Sequence, residues 1–136
     1  MTGEFSVDVV PMQGRVPVTV FQIHGDIDSN TYEQLQAQAE GVFQSGARNL
    51  LLDLSDVPYI SSAGIRALNY VFSLYRSDAE GESDESIRKG LRDGTFKSAH
   101  VKLLKPNQGV TKVLGLTGYD MFLEIHQDLN AALASF

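Results

Sequence analysis

The sequence predicts an α/β protein in which helices cover a mixed, mostly parallel β-sheet. Short runs of β-branched and apolar residues alternate along the chain with longer segments whose apolar residues recur at helical spacing. Strands joined through a helix run parallel with right-handed crossovers, whereas the first two predicted strands are joined by a short turn and therefore pair antiparallel. The predicted order of elements is β-β-α-β-α-β-α-β-α.

Length, charge and composition limit the classes of function. The 136 residues predict a single domain over residues 1–136, long enough to bury a core. A net charge of −6 repels nucleic-acid phosphates, so no direct contact with DNA or RNA is expected. No apolar run approaches ~20 residues, and neither a secretory signal nor a cysteine is present, so we expect a cytoplasmic protein without membrane insertion.

The first third of the chain predicts a β-hairpin followed by a helix. Residues 5–9 alternate between apolar and polar side chains, as in a half-buried strand. Residues 11–17 contain two prolines and a glycine, which predict the turn, and residues 16–23 predict the second strand. A helix follows, because apolar residues recur on one face between Tyr32 and Phe43.

The central strand and the second helix are separated by a loop that ends in two serines. Residues 48–54 form an apolar run typical of a buried parallel strand, and Pro58 interrupts the chain after it. A helical pattern then runs from Ser62 to Arg76. Ser61 or Ser62 could cap that helix. The unpaired N–H groups of a first turn also accept phosphate, and a serine can do both.

The second half contains an acidic segment and four further elements. Residues 77–98 begin with a long acidic stretch that is nearly free of apolar side chains, and we expect them to form a flexible insertion. A specificity loop for one partner is the functional alternative. Residues 100–104 then predict a strand, a short helix starts at residue 106, residues 121–125 predict the last strand, and residues 130–136 predict a closing helix.

Several polar residues are expected at one edge of the sheet. In open α/β sheets the functional groups gather at the carboxyl ends of the strands, where Asp26, Asp28, Asp56 and Ser62 emerge. Carboxylates are ligands for Mg²⁺, and a serine beside a histidine could act as a nucleophile and its base. The chain lacks a glycine-rich phosphate loop, a Gly-x-Ser-x-Gly elbow and a metal-spaced histidine pair. No catalytic residue, metal or cofactor is therefore predicted.

Three segments, in order along the chain, carry a resemblance to a known family. They are Gly25-Asp-Ile-Asp-Ser-Asn-Thr31, Asp53-Leu-Ser-Asp-Val-Pro-Tyr-Ile-Ser-Ser-Ala-Gly-Ile-Arg-Ala-Leu68 and Val110-Thr-Lys-Val-Leu-Gly-Leu-Thr-Gly-Tyr119. Together they resemble STAS domains, the fold of bacterial anti-sigma-factor antagonists, over roughly residues 15–76 and 99–135. The resemblance implies a STAS-like mixed β-sheet with helices packed on it.

The resemblance also implies a phosphorylation site. In antagonists of this family a kinase phosphorylates the serine two residues before the signature glycine, and counting back from Gly64 gives Ser62. Ser61 is the alternative acceptor. The family often has an aspartate at the position of Ser61, so this chain keeps a hydroxyl there but lacks that carboxylate. In the family the unmodified form binds an anti-sigma factor with kinase activity and frees a sigma factor, and phosphorylation ends that binding.

The predicted partner surface surrounds Ser62. The resemblance makes Asp28 a neighbouring acidic position, and helical spacing directs Arg66, Asn69 and Ser73 outward. The full surface comprises Asp26, Asp28, Asp56, Ser61, Gly64, Arg66, Asn69 and Ser73. Simpler roles stay open: Asp28 as a helix cap, Arg66 as a solvated residue, and Gly64 as a packing position.

The resemblance therefore implies a non-enzymatic regulator that acts on transcription, as in a stress response, through other proteins. Its expected partner is an anti-sigma factor or serine protein kinase. A phosphatase is a further candidate partner, and the formation of a homodimer is left open. The alternative is a docking subunit of a sensory or lipid-transport complex that is not phosphorylated.

Overall fold

The computed structural model describes residues 5–76, 98–121 and 123–136 of the chain. Its strands are β1 (Ser6–Gln13), β2 (Pro17–His24), β3 (Leu50–Asp56), β4 (Val101–Leu104) and β5 (Ile125–His126). Its α-helices are α1 (Tyr32–Gln44), α2 (Ser62–Arg76), α3 (Gln108–Thr117) and α4 (Leu129–Ser135), with a short 3₁₀ helix at Tyr119–Met121.

The five strands form one mixed sheet in the order β1-β2-β3-β4-β5. β1 pairs antiparallel with β2, and every later neighbour pairs parallel. The predicted mixed sheet is confirmed. The reason lies in the connections: a tight turn joins β1 to β2, whereas α1 links β2 to β3 as a right-handed crossover requires.

Each face of the sheet supports its own apolar cluster. Strand residues such as Phe21, Leu52 and Leu103 belong to the first core, which also contains buried residues of α1, α2 and α3. Their neighbours Val20 and Leu51 point to the opposite face, because successive side chains of a strand alternate. On that second face the cluster is completed by α4. The inner strands are therefore buried on both faces, which explains their uninterrupted apolar sequence.

Among the first three strands, the predicted bounds of two differ from the structure by two residues or more. The predicted turn at 11–17 is shorter, because β1 continues through Pro11 to Gln13. Proline is compatible with this position because β1 is an edge strand. β3 covers residues 50–56 and not 48–54, since its end is extended by pairing with β2: the Gly25 N–H donates to the Asp56 carbonyl over 3.1 Å.

The predicted last strand is present, but its predicted bounds, 121–125, are wrong, because the strand covers only Ile125–His126. Gly118 ends α3 with a left-handed φ of 81°. The next turn is a 3₁₀ helix, in which the Met121 N–H donates to the Gly118 carbonyl over 3.2 Å. Only Ile125 and His126 pair with β4. The apolar residues near position 121 predict a strand, but Leu123 reaches the first core from a bend between the 3₁₀ helix and β5.

The segment 77–98, predicted as a flexible insertion, lies outside the described residues except for Ser98. Ser98 is 5% exposed, and its hydroxyl accepts hydrogen bonds from the N–H groups of His100 and Val101 over 3.3 and 3.2 Å. This side chain holds the start of β4 in place.

Candidate functional site

Two loops at the carboxyl edge of the sheet run side by side and carry the candidate site. The Ile27 N–H donates to the Tyr59 carbonyl over 3.0 Å, and the Ser61 N–H donates to the Ile27 carbonyl over 2.9 Å. Ile27 and Ile60 form an isolated parallel bridge and are both almost fully buried. The segment that contains Asp26 and Asp28 is thereby fixed against the segment that leads into α2.

Gly64 allows α2 to begin against these loops. A Cβ atom at this position would lie 2.6 Å from Cγ1 of Ile60 and would also overlap the carbonyl oxygen of Ile27. Gly64 is buried. Gly64 therefore packs the helix onto the loops, and its role in the partner surface stays a prediction.

The two serines at the start of α2 have different roles. The Ser61 hydroxyl accepts a hydrogen bond from the Gly64 N–H over 3.3 Å, and the Ser61 carbonyl accepts the Ile65 N–H over 2.9 Å. Ser61 is thus the cap. Ser62 is the first residue of α2 and is exposed, and its hydroxyl makes no hydrogen bond within the part of the chain that the structure describes. Ser61 therefore caps the helix, and the hydroxyl of its neighbour Ser62 stays exposed.

Asp28 organises the turn into α1. Its carboxylate accepts the Asn30 N–H over 2.9 Å, and its carbonyl accepts the Tyr32 N–H over 2.9 Å. Thr31 completes the turn, because its hydroxyl donates to the Asp26 carbonyl over 2.8 Å. The side chain of Asp28 therefore has a local structural role, while Asp26 is exposed.

Asp56 reaches the same edge of the sheet, but its carboxylate is held by a histidine. His24 Nδ1 lies 2.6 Å from Asp56 Oδ2, and His24 Nε2 lies 3.0 Å from Asp8 Oδ2. His24 follows Ile23, a residue of the first core, so the alternation of β2 places His24 on the opposite face of the sheet from α2. The carboxylate of Asp56 is therefore paired with His24, and the predicted grouping of Asp56 with Ser62 stays a prediction.

Two carboxylates flank the imidazole of His24. Both ring nitrogens of His24 face carboxylate oxygens, and only the imidazolium form can donate to both. The hydrogen bonds, with Asp56 first and Asp8 second, raise the pKa of His24 above its ordinary value of 6.5. The sequence does not indicate that Asp8 lies near His24, because their proximity depends on the register that pairs Asp8 with Gln22.

We expect the stability contributed by His24 to be lost at high pH. Its pKa is raised in the folded state, so the contribution is complete below the unfolded pKa and falls as the pH rises through the folded value. The measurement is the difference in unfolding free energy between wild type and His24→Gln, from about pH 5 to pH 9. Asp8→Asn should reduce the slope. A difference that is constant with pH would contradict the charged bridge.

One stripe of α2 faces solvent beside the loops. Arg66 and Asn69 are exposed and Ser73 is half-buried, at the spacing expected of one helix face that begins with Ser62. The neighbouring Tyr70 donates a hydrogen bond to Glu40 of α1 over 2.8 Å, which marks the side on which α1 borders this stripe.

Sequence reasoning missed two residues of the site. Tyr59 is 53% exposed, although it lies only two residues before the cap of α2. The Asn107 side chain donates to the carbonyls of Val57 and Pro58 over 3.3 and 3.2 Å, and it caps α3 by accepting the Val110 N–H over 2.8 Å. Asn107 thus fixes the loop from which Tyr59 projects. The sequence predicts the start of the short helix at residue 106, next to Asn107, but it does not reveal the contact of Asn107 with a distant loop.

Residues 5–76, 98–121 and 123–136 contain neither a metal-binding cluster nor a membrane-spanning helix. No group of three or more histidine, aspartate or glutamate residues there is arranged to hold a metal ion. No helix in that part of the chain combines the length and apolar character needed to cross a membrane.

The fold and the site define an α/β domain that presents a serine on the first turn of a helix at the carboxyl edge of its sheet. The family model described as "STAS domain" matches residues 9–80 of this chain. The chain belongs to the STAS domain family, as the sequence motifs predicted. A comparison with curated proteins finds no match.

Solved structures with the same fold include anti-sigma-factor antagonists. One from Mycobacterium paratuberculosis is 19% identical, with a TM-score of 0.73 over 99% of this chain and 97% of that chain. A putative antagonist from Thermotoga maritima is 19% identical, with a TM-score of 0.68 over 95% and 91%. The Bacillus cell fate determinant SpoIIAA, in its phosphorylated form, is 15% identical, with a TM-score of 0.57 over 95% and 96%. At these identities the similarity establishes the fold.

Proposed function

We propose that this protein is an anti-sigma-factor antagonist, a non-enzymatic switch whose binding to an anti-sigma factor or serine kinase ends when Ser62 is phosphorylated. One observation carries the proposal: Ser61 caps α2, and Ser62 keeps an exposed hydroxyl without a partner within the described residues. A kinase can modify Ser62 without removing the cap that starts the helix. The fold shared with SpoIIAA, a protein whose structure is known in a phosphorylated form, supports the proposal.

The switch is electrostatic. A phosphate on Ser62 adds a charge of about −1.5 to −2. The first turn of α2 tolerates this charge because of its partly positive N–H groups. Asp26 and Asp28 lie on the adjoining loop and add to the negative potential. A partner that offers an acidic or apolar surface to α2 is then repelled, and the sigma factor is recaptured.

The serine at position 61 is compatible with this function. The family often has an aspartate there, and aspartate and serine are both preferred caps. The Ser61 hydroxyl bonds to the Gly64 N–H, as a capping carboxylate would. The departure from the family pattern therefore keeps the geometry of the helix start while it removes one negative charge.

The surface around Ser62 suits a protein partner. Tyr59 is exposed on one side of the serine in the chain, and Arg66 and Asn69 follow on the other. Tyrosine and arginine are enriched among the residues that dominate binding at protein interfaces. We expect these three side chains and Ser62 to form the centre of the partner surface.

Charge at position 62 should control the affinity for the partner. We expect Ser62→Ala to bind like the unmodified protein but to stay bound in the presence of the kinase and ATP. Ser62→Asp should bind at least about tenfold more weakly, roughly 1.4 kcal/mol, because it adds a permanent negative charge. Isothermal titration calorimetry measures the affinity of both variants for the partner. Ser62→Asn is the control for size without charge and should bind like wild type; equal affinity of Ser62→Asp and Ser62→Asn would contradict the electrostatic switch.

Phosphorylation itself is tested on protein purified from its own cells. Intact-mass analysis before and after phosphatase treatment should show one phosphate, and peptide sequencing should map it to Ser62. A phosphate on Ser61 would contradict the assigned roles of the two serines. No phosphate under any growth condition would contradict the switch, and it would favour the docking subunit of a sensory or lipid-transport complex, to be identified by what co-purifies.

A further inference from the structure

We infer that Arg66 is the intramolecular partner of a phosphate on Ser62, so that phosphorylation removes from the partner surface the cation that the unmodified protein offers there. The inference rests on the proposed function, because it assigns a role to a second residue of the same switch. It also implies that the binding partner places a carboxylate against Arg66 of the unmodified protein.

Arg66 is available for this role. It is exposed, and within the described residues no carboxylate lies close enough to form an ion pair with it. The other arginine of α2 differs: the guanidinium of Arg76 lies over the Phe72 ring, 5.9 Å from its centroid. The guanidinium of Arg48 is stacked 4.0 Å from the centroid of the Phe43 ring.

The geometry of the helix brings Arg66 to Ser62. The two residues are four positions apart on α2, so their side chains lie on one face, one turn apart. Side chains of a helix point back toward its N-terminus, so the long side chain of Arg66 extends toward the first turn. An acid followed four residues later by a base is the favourable order for such a pair. A guanidinium also binds phosphate oxygens in a bidentate manner.

Pairing of Arg66 with the phosphate changes the net charge of the surface that the partner binds. Arg66 is the one ionised side chain of the stripe formed by Ser62, Arg66, Asn69 and Ser73. The stripe therefore carries a charge of +1 before phosphorylation and roughly −0.5 to −1 afterwards. Phosphorylation therefore reverses the sign of the net charge on this stripe. At the same time, the phosphate pairs with the only cation of the stripe.

A phosphorus NMR titration tests the pairing directly. Phosphoserine is introduced at position 62 during translation, and its second pKa, ordinarily about 6, is measured in the folded protein. We expect a value that is lower by about half a unit than in the same protein carrying Arg66→Gln, because the guanidinium favours the dianion. Arg76→Gln is the matched control and should leave the value unchanged. Equal values in wild type and Arg66→Gln would overturn the inference.

The same proteins separate this inference from the proposed function. The phosphate is installed without any kinase or partner, so the titration reports on Arg66 even if the natural protein carries no phosphate. Conversely, Ser62 could be phosphorylated in the natural protein while Arg66→Gln leaves the phosphate pKa unchanged. That result would support the switch and show that Arg66 has no part in it. In the unmodified protein, Arg66→Gln should also weaken binding to the anti-sigma factor about tenfold, and unchanged affinity would contradict the cationic contact.

Discussion

Gly64→Ala is expected to lower the free energy of unfolding by about 2 kcal/mol, a typical cost of forcing an extra methyl group into packed structure. The added Cβ would overlap the Ile27 carbonyl oxygen and lie 2.6 Å from Cγ1 of Ile60. The first of these atoms belongs to the backbone and cannot rotate away. The start of α2 must therefore move off the two loops, which also displaces Ser62.

A second helical glycine provides the control. Gly41 of α1 is exposed, and a Cβ there would meet nothing within 4 Å. Gly41→Ala should stabilise the protein by about 0.5–1 kcal/mol, because alanine is the better helix former. Urea unfolding of both variants measures the contrast. Similar effects of the two substitutions would show that the contacts of Gly64 do not constrain the site.

Lys102→Ala is expected to destabilise the protein by about 3 kcal/mol, as for the loss of one member of a buried ion pair. Lys102 is 2% exposed on the second face of the sheet. Its ammonium group lies 3.1 Å from Glu124 Oε2 and donates to the Ser135 carbonyl over 2.8 Å and to the Ser135 hydroxyl over 3.1 Å. The variant leaves Glu124 without its main partner and releases the end of α4.

A double variant distinguishes charge from packing at this position. Lys102→Met combined with Glu124→Gln removes both charges and keeps most of the volume, so it should recover much of the lost stability. The pH dependence is a second readout. Burial is the largest single influence on the pKa of Glu124 and raises it, but the hydrogen bonds and positive charges of Lys102 and His126 together outweigh burial, so the net pKa lies below its ordinary value. The contribution of Glu124 is therefore present above its unfolded pKa and lost as the pH falls through the folded value. The same acid sensitivity in the double variant would contradict this assignment.

Local patterns predicted most of the fold because each element carries its own periodicity. The apolar face of α2 and the bounds Ser62–Arg76 agree with the sequence prediction. The failures concern segments where pairing or a turn outweighs local preference. The sequence predicts that the central strand ends at residue 54, yet pairing with β2 keeps Asp56 in the strand. Residues 121–125 were predicted as a strand, yet Leu123 reaches the core from a bend.

The candidate site was predicted only in part, because some of its features depend on contacts between distant segments. The parallel topology indicates that Asp26, Asp28 and Ser62 emerge at one edge, since strand direction follows from the connections. Which serine caps α2 depends on a single hydrogen bond, from the Gly64 N–H to the Ser61 hydroxyl, and helical spacing cannot assign it. The bond between His24 and Asp8 depends on the register of a hairpin, which local patterns do not determine.

The central claim is that phosphorylation of Ser62 ends the binding of an anti-sigma factor. The most direct test is calorimetric titration of the anti-sigma factor that co-purifies with this protein, using the unmodified form and the form with phosphoserine installed at position 62. The claim predicts that the phosphorylated form binds at least about tenfold more weakly. Equal affinities of the two forms would contradict the claim and leave the domain a docking module.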